Sequence, residues 1–341
     1  PSNSSAASDV YKRQGDGKGL DHFVNAAGGI DIIIGGPPCQ AYSVAGRVRD
    51  ENGMKDDYRN YLFEHYLSVV NRYQPKVFVF ENVPGLLSAM SDGTPIIQLI
   101  ESGFSSIGYE IVDDVKKYAK VDASDYGVPQ NRERLIILGI RKDLCEDVQA
   151  ILHRFYLEIL PKYKSKKKKT VAEAIGDLPK ITPIINDEEL KSRIGYSKPE
   201  CHTTWHRARH HSLRDVEIYR MLANDIQSGR NEYVDSKSLS DLYEEKVGAK
   251  SPIHRYHVLR ADEPSTTIIS HLDRDGNRFI HYDPEQGRDI TPREAARIQS
   301  FDDDFDFIGN QTDTYIMIGN AVPPLLAKCV GLAVSEVLDI L

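Results

Sequence analysis

The sequence has few cysteines and no long apolar run, and these absences exclude several classes of protein. Its 341 residues include only four cysteines, at positions 39, 145, 201 and 329, and none belongs to a CxxC pair. This spacing argues against a disulfide framework and against a ribbon-type zinc site. No apolar run approaches the roughly 20 residues of a membrane span, and no secretory signal is visible near the start. We therefore expect free thiols, no membrane partner and a cytoplasmic location.

An excess of positive charge is also missing. The formal net charge is −8, and 40% of the residues are hydrophobic. The acidic balance gives no general attraction to nucleic acid, so any such binding must rest on local basic patches. The length is sufficient for a full core and roughly two domains.

The first residues differ in character from the rest. Residues 1–14 show neither an initiating Met nor hydrophobic periodicity, and they resemble translated sequencing-adapter read-through. We leave this non-native segment out of the fold prediction. We expect the natural sequence to join near Gly15 and the natural protein to begin further upstream.

The most informative segment is an apolar strand that enters a Gly-Gly-Pro-Pro loop and presents Cys39. The β-branched run Ile32–Ile34 predicts a buried strand, and the prolines prevent the loop from forming a helix or pairing in a sheet. Open α/β sheets place their active sites at the carboxyl ends of strands. Cys39 is therefore a candidate nucleophile, and a buried structural cysteine is the alternative.

Strand and helix patterns alternate up to about residue 140, and this βαβ rhythm predicts an α/β fold with a mostly parallel sheet. Residues 145–265 lose that periodicity and predict a separate, substrate-facing region. A capping box at Thr291–Glu294 then opens another helix. The elements predicted from the pattern are helices at 61–70, 96–107 and 323–341, and strands at 77–80 and 135–138.

Two groups of polar residues would join Cys39 at one edge of this sheet. Glu81 and Asn82 follow the strand at 77–80, and a poorly solvated carboxyl there could donate a proton near neutrality. Arg132 and Arg134 precede the strand at 135–138 and would point the same way on an extended segment. A nucleophile, a proton donor and paired cations predict an active site. An ordinary surface carboxylate and rim salt bridges are the alternatives.

The sequence contains, in this order, the blocks Pro37–Gln40, Glu81–Val83, Gln130–Arg134, Arg293–Phe301 and Gly319–Pro324. These five blocks resemble the ordered motifs of the DNA cytosine-C5 methyltransferases. The resemblance covers about Gly15 to the carboxyl terminus. It implies a Rossmann-like class I methyltransferase sheet, incomplete at the amino end, with a smaller target-recognition domain. The implied boundaries are 15–180 and 266–341 for the catalytic domain and 181–265 for target recognition.

The resemblance implies methyl transfer from S-adenosylmethionine to C5 of a cytosine that is flipped out of duplex DNA. Cys39 would add to C6, Glu81 would hydrogen bond to N3 or protonate it, and Asn82 would orient the loop. Arg132 and Arg134 would hold the cytosine O2, the backbone and the active-site carboxyl. Contacts to the DNA substrate are implied for Gln40, Ser43, Arg47 and Gln130.

The resemblance also implies a cofactor site, formed by Asp16, Pro38, Asn320, Ala321 and Val322. The family's Phe-x-Gly-x-Gly loop, which holds the methionine part of the cofactor, is absent from this sequence, as are the first strands of the sheet. The implied partners are duplex DNA and a cognate restriction endonuclease of a restriction-modification system. We expect a monomer associated with the nucleoid.

Two other functions remain open. One is an RNA methyltransferase of the same fold that acts on tRNA, although Ala41–Ser43 is closer to the DNA enzymes. The other is a non-catalytic DNA-binding module, which the missing cofactor loop favours. Cys201, His202, His206 and His210 have a helical spacing that could ligate zinc. No second pair matches them, so we favour contact with solvent or the DNA backbone and expect no metal.

Calorimetric titration with S-adenosylmethionine tests the consequence of the missing loop. We expect weak or undetectable binding by this chain, because the part of the site that holds the methionine moiety is absent. Circular dichroism of the same sample provides the control for folding. A micromolar dissociation constant would contradict the prediction.

Overall fold

The computed structural model describes residues 19–37, 62–91, 93–185, 193–249 and 256–341. The chain divides into two compact units. The first unit takes the described residues up to Val121, together with Glu133–Lys162 and Leu332–Leu341. The second unit takes Asp122–Arg132 and Tyr163–Gly331. The boundaries at 180 and 265 stay predictions.

A mixed sheet forms the centre of the first unit. Its strands are β1 Ile32–Gly35, β2 Val77–Asn82, β5 Tyr109–Ile111, β6 Lys120–Asp122 and β7 Glu133–Arg141, and a separate hairpin contains β3 Met90–Ser91 and β4 Thr94–Pro95. The strand order is β1-β2-β7-β5, and β6 pairs with β7. The β1 and β2 strands are parallel, but β7 runs antiparallel to both β2 and β5. The predicted strands are confirmed. Because β5 also opposes β7, the strands β1, β2 and β5 share one direction, and β7 departs from the parallel sheet that the sequence predicts.

The β2 strand is buried on both faces, as its continuous apolar sequence predicts. Its residues Val77–Phe80 are at most 2% exposed. The Phe78 ring stacks on Phe104 with ring centroids 4.0 Å apart, and the Tyr66 hydroxyl donates to the Val79 carbonyl at 2.9 Å. The predicted helices at 61–70 and 96–107 are confirmed, because the structure has helices at Leu62–Tyr73 and Ile96–Ser106. These helices carry Tyr66 and Phe104. The helices of this unit are α1 Leu20–Ala26, α2 Leu62–Tyr73, α3 Ile96–Ser106, α4 Val115–Tyr118 and α5 Val148–Arg154.

The second unit is built mainly of helices and irregular segments around its own apolar core. Phe279, Ile290, Ile298 and Tyr315 belong to that core. The predicted capping box is confirmed, because Thr291 and Glu294 bond to each other's backbone N–H groups. The elements are α6 Val171–Ile175, β8 Pro183–Ile184, β9 Gly195–Tyr196, α7 Leu213–Gln227, α8 Ser236–Val247, α9 Pro292–Ile298, α10 Gln311–Asn320 and α11 Pro324–Ile340, of which α11 continues into the first unit at Leu332.

In the described part of the chain, one stretch, Gln311–Ile340, is long and apolar enough to cross a membrane by length and composition alone. The backbone is extended at Ala321, so the stretch consists of α10 and α11 rather than of one helix. Tyr315, Ile318 and Val337 are buried inside the protein. We therefore interpret it as two core helices.

A buried ion pair holds α9 in the second unit. The Arg288 guanidinium donates two hydrogen bonds to the Glu294 carboxylate, both at 2.7 Å, and the two side chains are at most 1% exposed. Burial by itself raises the pKa of Glu294, but the guanidinium outweighs it and lowers the pKa to about 2. His281 lies beside the pair, with Nε2 3.6 Å from Glu294. Burial lowers the pKa of His281 to about 4, against the opposing attraction of Glu294.

His281 makes the stability of the protein depend on pH. An unfolded imidazole takes up a proton near pH 6.5, whereas folded His281 does so only near pH 4. Between these values the unfolded chain binds more protons, so stability falls as the pH falls. We expect His281→Asn to remove about 3 kcal/mol of this loss by pH 4. Urea unfolding between pH 7.5 and 4 measures it.

Asn is chosen because its Oδ1 can accept the hydrogen bond that Asp283 N donates to His281 Nδ1 at 3.0 Å. His65→Asn is the control, since His65 is exposed on α2. Identical pH slopes for wild type and His281→Asn would show that His281 does not cause the effect.

Candidate active site

Two glycines allow the loop after β1 to approach its neighbours closely. Gly35 and Phe80 are register partners in the parallel pair of β1 and β2. Because the two strands are parallel, both end at the same edge of the sheet. A Cβ added to Gly35 would lie 2.5 Å from the Tyr66 ring, and one added to Gly36 would lie 2.7 Å from Glu81 Oε2. No side chain fits at either position without displacing its neighbour. The Glu81 carboxylate therefore packs directly against the loop that leads to Cys39.

Asn82 fixes the same loop through its amide. Its Nδ2 donates to the Pro37 carbonyl at 3.1 Å, and its Oδ1 accepts from Val83 N at 2.9 Å. The residue is only 4% exposed. The backbone two residues before Cys39 is thus tied to the end of β2.

Arg134 pairs with Glu81. The Arg134 Nε lies 3.0 Å from Glu81 Oε1, and the side chains are 13% and 19% exposed. Burial lowers the pKa of Arg134, and the Glu81 carboxylate opposes that shift. The adjacent cation in turn favours the ionised form of the carboxyl group. This acts against the proton donation that burial alone predicts for Glu81.

Gln130 and Arg132 lie in the second unit and bond to its backbone. Arg132 is 2% exposed, and its guanidinium donates to the carbonyls of Ile268, Gly319 and Ala321 at 2.8 to 3.1 Å. Gln130 is fully buried and accepts from Ile268 N at 2.9 Å. In this structure both side chains support the backbone around them. Their contacts with DNA stay predictions.

The turn after α10 is fixed from two sides. Besides Arg132, the Gln299 amide donates to the Ile318 and Ala321 carbonyls at 3.0 and 2.8 Å. Gly319 packs so tightly against the backbone of Ile269 and Ser270 that a side chain there would collide with it. Asn320 is exposed, and Ala321 and Val322 are half-buried. These three predicted cofactor residues are held in one defined turn.

Six predicted site residues fall outside the described residues: Asp16, Pro38, Cys39, Gln40, Ser43 and Arg47. Among the described ones, Glu81, Asn82 and Arg134 cluster at the end of β2. Arg132 bonds to the turn that carries Asn320–Val322, and Gln130 bonds to the Ile298 carbonyl and to Gln299. Sequence reasoning missed the supporting roles of Gln299 and Tyr66. The sequence feature that could have indicated the role of Gln299 is a polar residue next to the apolar residues of α9.

The histidines considered for zinc have other partners. The segment at 201–210 is not helical. His206 Nε2 lies 2.8 Å from the Pro179 carbonyl, and His210 Nδ1 lies 3.1 Å from the Ile194 carbonyl. Within the described ranges, no group of three or more His, Cys, Asp or Glu residues could hold a metal ion.

Comparison with known proteins places this geometry in a family. Residues 5–336 match the model of the C-5 cytosine-specific DNA methylases. The chain belongs to this family. The methylase is also similar to the type II methyltransferase M.Bpa9945I of Bacillus paralicheniformis, with 35% identity over 91% of this chain and 71% of the relative. M1.HphI of Haemophilus parahaemolyticus is 33% identical over 90% of this chain and 68% of its own length.

A solved structure agrees with the class of fold. A prophage-encoded Escherichia coli protein described as a DNA modification methyltransferase superimposes with a TM-score of 0.55 and 25% identity. The match covers 94% of this chain and 82% of that one. The methylase therefore has the Rossmann-like α/β fold that the resemblance implied, with one antiparallel strand, β7, beside β2.

Gly36→Ala tests whether the position of the Glu81 carboxyl matters to the methylase. The added Cβ must displace Glu81 Oε2, the far end of a flexible side chain. We therefore expect unfolding free energy to change by less than about 1 kcal/mol, while methyl transfer falls on the order of 10- to 100-fold. Urea unfolding, and transfer of labelled methyl to DNA by the complete reading frame, measure the two effects.

Gly19→Ala is the matched control, because a Cβ at Gly19 meets nothing within 4 Å. Unchanged methyl transfer by Gly36→Ala would mean that the contact between Gly36 and Glu81 has no role in the reaction.

Proposed function

We propose that the protein transfers a methyl group from S-adenosylmethionine to C5 of a cytosine flipped out of duplex DNA, through a covalent bond between Cys39 and C6. The observation that carries this proposal is the position of Glu81. Its carboxylate packs against Gly36, three residues before Cys39, and is paired with Arg134 at 3.0 Å. Family membership supports DNA cytosine as the substrate.

The first step is addition of the Cys39 thiolate to C6. The sulfur donates the electron pair of the new bond, and the electrons of the C5–C6 double bond move into the ring. N3 becomes basic and takes a proton from Glu81, so no net negative charge stays on the base. C5 is then nucleophilic, as an enamine carbon is.

The turn after α10, which carries Asn320, Ala321 and Val322, fits S-adenosylmethionine as a ligand. Arg132 and Gln299 occupy the carbonyls of the turn, so the exposed Asn320 amide is available to a polar group beside Ala321 and Val322. S-adenosylmethionine, when bound, supplies the electrophilic methyl group that C5 accepts. Asn320, Ala321 and Val322 would hold it, together with Asp16 and Pro38.

Elimination completes the reaction. A base removes the C5 proton, the C5–C6 double bond forms again, and the bond to Cys39 breaks with return of its electrons to the sulfur. N3 gives its proton back to Glu81. The thiolate and the carboxyl group are then in their starting states.

Arg134 has two functions in this scheme. In the structure it neutralises Glu81. Its fork of donors also suits the cytosine O2, as the resemblance implies. We infer that Glu81 takes up its proton when Arg134 turns from the carboxylate to the base, since loss of the adjacent cation raises the carboxyl group's affinity for a proton.

The proposed biological setting is that of a bacterial restriction-modification enzyme. The relatives are named type II methyltransferases, which supports duplex DNA as the partner and a cognate endonuclease in the same system. We propose a monomer that acts in the cytoplasm at the nucleoid. Bisulfite sequencing of DNA from cells that express the complete reading frame identifies the target site. Labelled methyl transfer to duplex DNA but not to tRNA distinguishes this function from the RNA alternative.

Cys39→Ser tests the covalent mechanism in the complete reading frame. We expect it to abolish methyl transfer and to prevent trapping on a duplex that contains 5-fluorocytosine, because fluorine at C5 blocks elimination only after the thiolate has added. Denaturing gel electrophoresis detects the trapped complex. Cys145→Ser is the control, since Cys145 is a free cysteine that has no part in the proposed mechanism. Full activity of Cys39→Ser would overturn the mechanism.

A further inference from the structure

The second unit contains a cleft of about 1030 Å³ with a strongly basic lining. Six Lys or Arg residues and two Asp residues line it, which gives a formal charge of +4. The whole chain carries −8. The cleft is therefore a local basic patch of the kind that an acidic protein needs to bind a polyanion. The six cations are Arg193, Lys198, Arg207, Arg209, Arg214 and Arg274.

One cation of the cleft, Arg209, is already neutralised by the protein. Arg209 is paired with Asp289, and His211 Nε2 lies 2.9 Å from the same carboxylate. Asp289 is 1% exposed. Arg209 therefore stabilises the protein and is not free to bind a ligand.

Arg214 and Arg274 are also within ion-pair distance of Asp215 and Asp273. Two cations of the cleft are not neutralised in this way. Lys198 and Arg207 are both exposed. Over the residues that the structure describes, neither has a carboxylate within the 4.0 Å of an ion pair. The Arg207 guanidinium lies 4.9 Å from the centre of the Trp205 ring, which orients it without neutralising its charge.

The Trp205 platform is held in place by the protein. Trp205 has φ +67°, a left-handed conformation that a large side chain adopts only when its surroundings impose it. Its Nε1 donates to the Phe307 carbonyl at 3.2 Å, and its own carbonyl accepts from Arg293 N at 3.2 Å. The Arg293 guanidinium, fully buried, also binds the Thr204 carbonyl at 2.9 Å. Arg207 is thus presented from a rigid base.

The lining favours a phosphate backbone over a small molecule or base edges. Small-molecule pockets are lined mainly by apolar and aromatic side chains with few polar groups, whereas this one is dominated by charge. Base edges lie inside the grooves and are read by elements that protrude into them. A concave basic surface instead receives the convex ridge of phosphates, to which Lys, Arg, Asn and Gln side chains donate. Asn277 and Gln311 line the same cleft.

We propose that this cleft binds the phosphodiester backbone of the DNA duplex, with Lys198 and Arg207 as phosphate contacts. The inference rests on the proposed function and adds where the duplex is held and by which side chains. It also assigns these two cations to positioning the DNA rather than to reading guanine.

Salt dependence of DNA binding tests the assignment. Each phosphate contact contributes about 0.9 to the slope of log K against log salt. We expect Lys198→Gln and Arg207→Gln each to lower the slope by about that amount and to weaken binding on the order of fivefold at moderate salt. Fluorescence anisotropy with two unrelated duplexes of equal length, without methyl donor, measures both quantities. The loss should be the same for the two duplexes.

Two controls separate charge from packing. Arg207→Lys keeps the charge and should keep the wild-type slope. Lys116→Gln removes an exposed charge on α4 of the first unit and should also leave the slope unchanged.

Three results would overturn the assignment. They are unchanged slopes in both Gln variants, a loss confined to one duplex, or loss of inorganic pyrophosphate binding with DNA binding unchanged. Binding is measured without the reaction, so it decides the role of the cleft by itself. Absence of methyl transfer and of 5-fluorocytosine trapping with the wild-type complete reading frame would count against the proposed function instead.

Discussion

The antiparallel pairing of β7 with β2 is the constraint on which the candidate active site depends. Glu81 is paired with Ile136 and Asn82 with Leu135, so the first residues of β7 lie at the carboxyl end of β2. Arg134 can therefore reach Glu81. If β7 ran parallel, the same residues would lie at the opposite edge of the sheet. Parallel pairing of β1 with β2 adds the loop toward Cys39 at this edge. One strand direction thus determines which polar residues meet.

Buried arginines fix the loops of the second unit. Arg132 and Arg293 donate mainly to backbone carbonyls, and Arg288 donates to a buried carboxylate. A guanidinium offers five donors in a planar fork, so one side chain can hold several loop segments in fixed positions. Burial of the cation is costly unless these bonds are made. The turn at Asn320–Val322 and the Trp205 platform are therefore both held by buried guanidinium groups.

Much of the first unit could be predicted from the sequence. The apolar runs at 77–80 and 135–138 and the helices at 61–70 and 96–107 follow from periodicity, which reflects burial directly. The direction of a strand does not follow from periodicity, because a strand that is buried on both faces has the same apolar sequence in parallel and antiparallel pairs. Arg132 and Arg134 were predicted to act as a pair from their spacing. Their partners differ, Ile268, Gly319 and Ala321 for the first and Glu81 for the second, since long-range contacts leave no local pattern.

The sequence by itself determined the family, the order of its motifs and the residue types needed for cytosine methylation, because these depend on side-chain chemistry and spacing along the chain. Only the tertiary structure decided that Gly36 makes room for the Glu81 carboxylate, that Arg134 neutralises it, and that Gln130 is enclosed by the protein. It also gathered cations from distant positions into one cleft of an acidic protein. Distances between residues far apart in the chain arise from packing, and packing is decided by the whole fold.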